Sequence, residues 1–288
     1  MVSVKFLIRA AAASMLSTAA YAADLPPPPP YQPPIAYQAV APVAETSGWY
    51  LRGDVGVGVQ SFNNFTHSQA NAAFVWPASW TIVQKDIQDT TTFGGGVGYV
   101  INNWFRMDVT GEYRTKAMFK TTGSYVENCA GGGTCFDVNS GNFSSTVVMA
   151  NAYLDLGTWW CLTPYVGAGV GGAYNRITGV QDVGIISNGS NGFGYTFGDS
   201  AKWDLAWNAQ AGVTYNVTNN FKVDLNMRYL RMGSPQTAEV FCQNTTPCPG
   251  ASYGLTDMSS WDFRLGVRWM LQPEPAPVMM QPPLMSRG

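Results

Sequence analysis
From Trp49 to Leu271 the chain alternates apolar with polar residues at a period of two, and few folds can hold that pattern over such lengths. In the first run Trp49, Leu51, Val55, Val57 and Val59 share one face, opposite Tyr50, Arg52, Asp54, Gly56, Gly58 and Gln60. Phe105, Met107, Val109, Tyr113, Ala117 and Phe119 then alternate with Arg106, Asp108, Thr110, Glu112, Arg114 and Lys116. Trp203, Leu205, Trp207, Ala209, Ala211, Val213 and Tyr215 alternate with Lys202, Asp204, Asn208, Gln210, Thr214 and Asn216. Phe221 to Tyr229 repeats the pattern around Lys222, Asp224, Asn226 and Arg228, and Trp261 to Leu271 around Asp262, Arg264, Gly266 and Arg268. Period two at this length means strands with a different environment on each face. Weaker runs at Thr90–Ile101, Ser144–Leu156 and Pro164–Arg176 bring the expected number of strands to eight.

Composition decides which environments these are. Only 12% of residues are charged, against about 25% in soluble domains. Beyond the N-terminus no apolar run reaches the ~18 residues of a membrane helix. Apolar residues dispersed by alternation, in a charge-poor chain, point to an antiparallel transmembrane β-barrel. The connections agree. Ile101–Asn103, Gly157–Thr163 and Thr218–Asn220 are short, whereas Phe62–Asp89, Thr121–Phe143, Ile177–Ala201 and Ser234–Thr256 are long and polar. Short periplasmic turns and long extracellular loops are the two ends of such a barrel. Trp49, Trp104, Trp159, Trp160, Trp203, Trp261 and Trp269 fall where interfacial aromatic girdles belong. The competing architecture, a soluble lipocalin-like barrel with its apolar face inward, does not account for this loop alternation. A net charge of −2 without a basic stripe excludes nucleic acid as a partner.

Residues 1–22 read as a signal peptide, with Lys5 and Arg9 around an alanine-rich stretch and a small-x-small site at Ala20-Tyr21-Ala22. A retained membrane anchor is the alternative, but the apolar run is short. Residues 23–47 form a proline-rich periplasmic spacer, 48–271 the barrel, and 272–288 a second proline-rich tail. Export permits disulfides. Of five cysteines, Cys129 with Cys135 and Cys242 with Cys248 form close pairs expected to pin two loops. Their spacing does not fit a zinc site, and His67 is the only histidine. Cys161 is left over, a lipid-facing or periplasmic thiol.

The residues offer no catalytic set, no metal site and no cofactor site. Gly94-Gly95-Gly96 and Gly167–Gly171 lie inside strands and open no helix, so they are not phosphate loops. His67 alone supports no catalytic dyad. The notable constellation is a set of lumen charges: Arg52, Asp54, Arg106, Asp108, Glu112, Arg114, Lys116, Asp204, Arg228, Asp262, Arg264 and Arg268, with Asp155, Lys202, Lys222 and Asp224 on the same face. Mixed signs let them pair, and eight strands leave a lumen just wide enough for side chains to fill. A packed polar plug is expected; a narrow ion path along Arg52, Arg114, Arg228 and Arg264 is the alternative.

Four segments carry a family resemblance: Ala22–Pro26, Gly48–Gly53, Thr163–Gly171 and Trp261–Trp269. In content and order they resemble the outer-membrane β-barrel family of alphaproteobacteria, which includes porin-like surface antigens and hemin-binding proteins. The chain departs from that pattern in continuing past Leu271, where such barrels end on an aromatic residue. The resemblance implies an eight-stranded barrel in the cell outer membrane, inserted by the barrel-assembly machinery among lipid and lipopolysaccharide. It implies a structural, envelope-integrity role with loop-mediated surface interactions and not catalysis. Hemin or a host surface molecule, met through Phe74, Trp76, Trp80, Tyr125, Phe193, Tyr195 and Tyr253, is the ligand-binding alternative. An outer-membrane acyl-transfer or protease activity would need a base beyond His67.

Overall fold
The computed structural model describes residues 48–68, 78–127, 129, 132–185, 193–196, 199–238, 240–242 and 252–271. The expected signal peptide, spacer and tail lie outside them. The strands are β1 (Gly48–Ser61), β2 (Asn64–Ser68), β3 (Thr81–Ile87), β4 (Thr90–Asn102), β5 (Phe105–Tyr125), β6 (Cys135–Asp155) and β7 (Leu162–Ile185). They continue as β8 (Phe193–Thr196), β9 (Ser200–Asn216), β10 (Phe221–Arg231), β11 (Val240–Cys242), β12 (Ser252–Thr256) and β13 (Ser259–Met270). Eight of them form an antiparallel ring in the order β1-β4-β5-β6-β7-β9-β10-β13, closed by pairing of β13 with β1 from Tyr50↔Met270 to Ser61↔Ser259. Closure leaves the bilayer no unpaired strand edge, which a lipid environment requires.

The alternation sorts as a membrane demands. Leu265 is 53% exposed while its neighbour Arg264 is 4% exposed, so the apolar face looks outward and the charged face inward. Trp49, Trp104, Trp159 and Trp269 ring the turn end of the barrel, and Trp203 and Trp261 the loop end. On β13, Trp261 and Trp269 are eight residues apart, about 27 Å along a strand at ~3.4 Å per residue. A tilt of ~40° reduces this to about 20 Å, close to the ~25 Å apolar band of such barrels.

Side chains in the short turns supply the missing backbone partners. Asn102 Oδ1 accepts the N–H groups of Trp104 and Phe105 at 3.0 and 2.8 Å. Thr218 Oγ1 accepts those of Asn220 and Phe221 at 3.2 and 2.9 Å. Asn and Thr thus close turns without help from the rest of the fold. The turn between β6 and β7 leaves Cys161 exposed.

The opposite end differs from expectation. β5, β6 and β7 are 21, 21 and 24 residues long, about twice the ~9–11 residues a tilted strand needs to cross a bilayer. Much of the expected loops Thr121–Phe143 and Ile177–Ala201 is therefore strand, because backbone pairing continues through their Gly, Asn and Ser residues. β3 pairs with β5, β8 with β7, and β11 with β8, giving an extracellular sheet in the order β3-β5-β6-β7-β8-β11.

Two bulges separate this extension from the transmembrane wall. Arg114 pairs with Ser145 and Ala117 with Phe143, so Thr115 and Lys116 together face Ser144. The extra residue reverses which parity points inward. Lys116, expected in the lumen, is consequently exposed on the outer wall, while Ala117 and Phe119, expected to face lipid, are fully buried. Between β6 and β7, Ser140 pairs with Gln181 and Asn142 with Thr178, leaving Gly179 and Val180 opposite Gly141. Gly179 has φ +59°, a left-handed conformation that glycine adopts without steric cost.

Candidate functional site: a plugged lumen beneath an extracellular platform
Inside the membrane band the inward faces of β1, β5, β6, β10 and β13 bring their charges together. Six arginines (Arg52, Arg106, Arg114, Arg228, Arg264, Arg268) face six carboxylates (Asp54, Asp108, Glu112, Asp155, Asp224, Asp262), and each of the twelve has an opposite charge within 3.5 Å. Asp262 is the hub. It accepts two parallel bonds from Arg114, at 2.9 and 3.0 Å, and one from Arg228 Nε at 2.9 Å, while Ser260 donates to it at 2.6 Å. Glu112 bridges Arg114, Arg228 and Arg264. Lower down, Arg52 holds Asp54 and Asp108 at 2.6 and 2.8 Å, and Asp108 also accepts Asn151 at 2.8 Å. At the periplasmic end Arg268 binds Asp224 at 2.7 Å, and Arg106 lies between the rings of Tyr153 and Tyr165, 4.0 and 4.5 Å from their centroids. Planar guanidinium groups suit this double duty of forked pairing and stacking.

Glycine makes room for the plug. A Cβ at Gly58 would lie 2.5 Å from Asp262 Oδ1, and one at Gly169 would lie 2.7 Å from Asn208 Nδ2. Sequence reasoning missed the amide chain that joins the charges: Asn208 donates to Asn151 at 2.9 Å, Gln210 to Asn208 at 3.1 Å, and Asn226 to Gln210 at 3.2 Å. Their inward parity was the available signal. Asp204 belongs to the rim, where half-exposed Lys202 approaches it at 3.3 Å and Asn175 donates to it at 3.0 Å. The four arginines of the alternative ion path are all buried and bonded to acids.

Above the charges lies an apolar cap. Phe119, Phe143, Ile177 and Leu230 from the strands, with Met232 just past β10, pack with Phe62, Phe65, Tyr253, Leu255 and Met258 from the loop region. β2 and β12, from opposite long connections, pair with each other and bring the Phe65 and Tyr253 rings to 5.0 Å. Tyr253 is thus buried and Trp80 packs against the cap, so two aromatics expected to meet a ligand are engaged in packing. Phe74 and Trp76 lie outside the described residues.

The extension carries its own polar features. Cys129 and Cys135 are joined by a disulfide at the tip of the β5–β6 hairpin. Cys242 lies in β11, His67 lies in β2, and Cys248 is outside the described residues. On the inner face, burial and the neighbouring Asp137 push the Asp182 carboxyl up to about 9. Burial and Asp182 in turn push the Tyr253 hydroxyl far above its usual range. At the exposed margin, hydrogen bonds from Asn63 and Arg231 hold Asp257 below the ordinary carboxylate value. These groups sit in segments that read as loops, where no pattern marks them.

On the outer wall the bulge shapes a cleft of about 160 Å³ lined by Tyr113, Lys116, Ser144, Thr146, Tyr174, Arg176 and Asp199, among others. Tyr113, Thr146 and Tyr174 form one cross-strand row, with Arg176 beside Ser144 one step further from the membrane.

A family model described as outer membrane protein β-barrel domain matches residues 8–270. An uncharacterized protein of Brucella suis is 32% identical over 230 residues, 75% of this chain and 76% of that one. Outer membrane protein PagN of Salmonella typhimurium is 28% identical, covering 82% of this chain and 94% of that one. A candidate adhesin of Rickettsia akari is 27% identical, covering 72% and 84%. A closed ring of eight strands, apolar without and charged within, agrees with that match, and the chain belongs to the outer membrane protein β-barrel domain family and resides in the outer membrane.

Proposed function
We propose that this protein is a non-conducting, non-catalytic surface protein that stabilises the envelope and makes adhesive contacts through its extracellular platform. The observation that carries this reading is the contrast between a lumen filled by paired charges under an apolar cap and three strands prolonged far beyond the bilayer. A channel needs the first of these empty; a contact surface needs the second. Similarity to the Rickettsia akari candidate adhesin supports the same reading. Lipopolysaccharide is then the lipid partner of the outer wall, since Lys116 and Arg176 line one cleft just beyond Tyr113 and Tyr174, where two cations can meet the phosphates of the outer leaflet.

The test is surface expression in a non-adherent Gram-negative host. Cells displaying the wild-type chain should bind a host-cell monolayer, and cells displaying a barrel whose residues 122–138 are replaced by a two-residue turn should bind several-fold less. Equal binding by the two would overturn the adhesive reading, and stable single-channel steps from purified protein in a planar bilayer would overturn the sealed lumen.

A further inference from the structure
Three oxygen-bearing side chains form one cross-strand row on the inner face of the extension. Thr121 on β5 pairs with Asn139 on β6, which pairs with Asp182 on β7. Asp137, two residues away along β6, is buried on the same face. Directly opposed residues have Cβ atoms about 4.5–5.5 Å apart, so Asn139 stands at the centre of the row between Thr121 and Asp182.

The hydrogen bonds of the cluster are incomplete in a particular way. Asn139 Nδ2 donates to Asp137 Oδ2 at 3.3 Å, and Tyr253 OH donates to Asp182 Oδ2 at 2.5 Å. Among the described residues Thr121 Oγ1, Asn139 Oδ1 and Asp182 Oδ1 are buried without a hydrogen-bond partner, and Thr121 and Asn139 are 1% and 0% exposed. The Asp137 and Asp182 carboxyls lie against each other, and among the described residues no lysine or arginine forms an ion pair with either of them. One positive charge would satisfy the three orphaned oxygens and the neighbouring carboxyls together.

We propose that Thr121, Asn139, Asp182 and Asp137 bind a hard divalent cation of the calcium class between β5, β6 and β7. Carboxylate, amide and hydroxyl oxygens are the ligands such ions take, and calcium accepts six to eight of them in flexible geometry with water completing the shell. Two carboxylates balance its charge. A proton shared by the carboxyls would relieve their contact alone and leave the Thr121 and Asn139 oxygens orphaned; a cation engages all four side chains. The bound ion fastens the three long strands together, and Tyr253 ties them to β12.

The experiment uses the full chain refolded from denaturant into detergent micelles, so that no lipopolysaccharide is carried along. Titration with calcium chloride in a calorimeter should reveal one site in the ~10⁻⁴–10⁻³ M range of extracellular modules. Calcium should also slow proteinase K cleavage of the extension. Asp182→Asn and Asp137→Asn should each weaken binding about tenfold or more, since ligand charge sets affinity. Thr121→Val, a milder change, should weaken it several-fold while the heat-modifiable gel shift persists. Absence of a calcium signal from wild-type protein that shows the gel shift overturns the proposal. So does unchanged affinity in the Thr121→Val and Asp182→Asn variants, or an Asp182→Asn extension that resists proteinase K as fully as the wild type does in calcium.

Discussion

In the membrane band β5 turns Arg106, Asp108, Glu112 and Arg114 inward and Met107, Val109 and Tyr113 toward lipid; in the extension the same strand buries Ala117 and Phe119 and exposes Lys116, Met118 and Lys120. The first half is inside-out relative to a soluble protein, and the second follows the ordinary rule. Each arrangement is what its solvent demands. Lipid accepts no charge, so charges go inside and must pair there. Water accepts them, so above the membrane the interior can be apolar. The bulge at Thr115–Lys116 is the joint where one regime changes to the other.

The largest expected effect comes from breaking the charged interior. Asp262→Ala strips Arg114 and Arg228 of a shared carboxylate in a fully buried site, and an uncompensated buried charge costs about 3–5 kcal/mol. The loss should appear as a lower urea midpoint for the gel-mobility transition of the folded barrel. Asp204→Ala at the rim, where Lys202 stays half in water, should cost ~1 kcal/mol or less. Similar costs at the two positions would mean that the lumen is hydrated throughout.

A second pair of substitutions tests the outer walls. Leu265 faces lipid at mid-height of β13, and Met118 is exposed on the extension. Leu265→Lys should destabilise by about 2–4 kcal/mol, the cost of a cation on the lipid face of a barrel. Met118→Lys on a wetted surface should stay within ~0.5 kcal/mol. Equal losses in the urea midpoint would put Met118 in lipid and move the boundary above the bulge.

The same comparison explains what the sequence reveals. In the transmembrane half the alternation, the short turns at Asn102 and Thr218 and the closing run Trp261–Trp269 are local features, so strand number, face and ring closure are legible. Around Lys116 two inversions cancel. The bulge flips which parity points inward, and leaving the membrane flips which chemistry belongs inside. Phe105, Met107, Val109, Tyr113, Ala117 and Phe119 therefore run on in one odd-numbered series, interrupted by Gly111 and Thr115, and nothing in the pattern announces that its last two members have changed sides. Asp137, Asn139 and Asp182 are hidden for another reason. They lie among Gly, Asn and Ser residues that mimic a loop, and only strand pairing brings them together.

The smallest effect concerns the joint itself. Because the bulge expels Lys116 from the lumen, it comes to line a cleft with Arg176 just outside the aromatic girdle. Each cation held near an anionic lipid surface contributes about 1 kcal/mol. The stabilisation that wild-type protein gains from lipopolysaccharide in mixed micelles should therefore fall by about 1–2 kcal/mol in the Lys116→Ala, Arg176→Ala double variant. Asp199 lines the same cleft, so Asp199→Asn should raise that gain. Salt should shrink both differences, because exposed charges more than ~8–10 Å apart are screened at physiological ionic strength. In pure detergent the variants should match the wild type, since neither cation has an ion pair to lose among the described residues. A loss of stability in detergent alone would instead make Lys116 and Arg176 part of the fold and not of its contact with the outer leaflet.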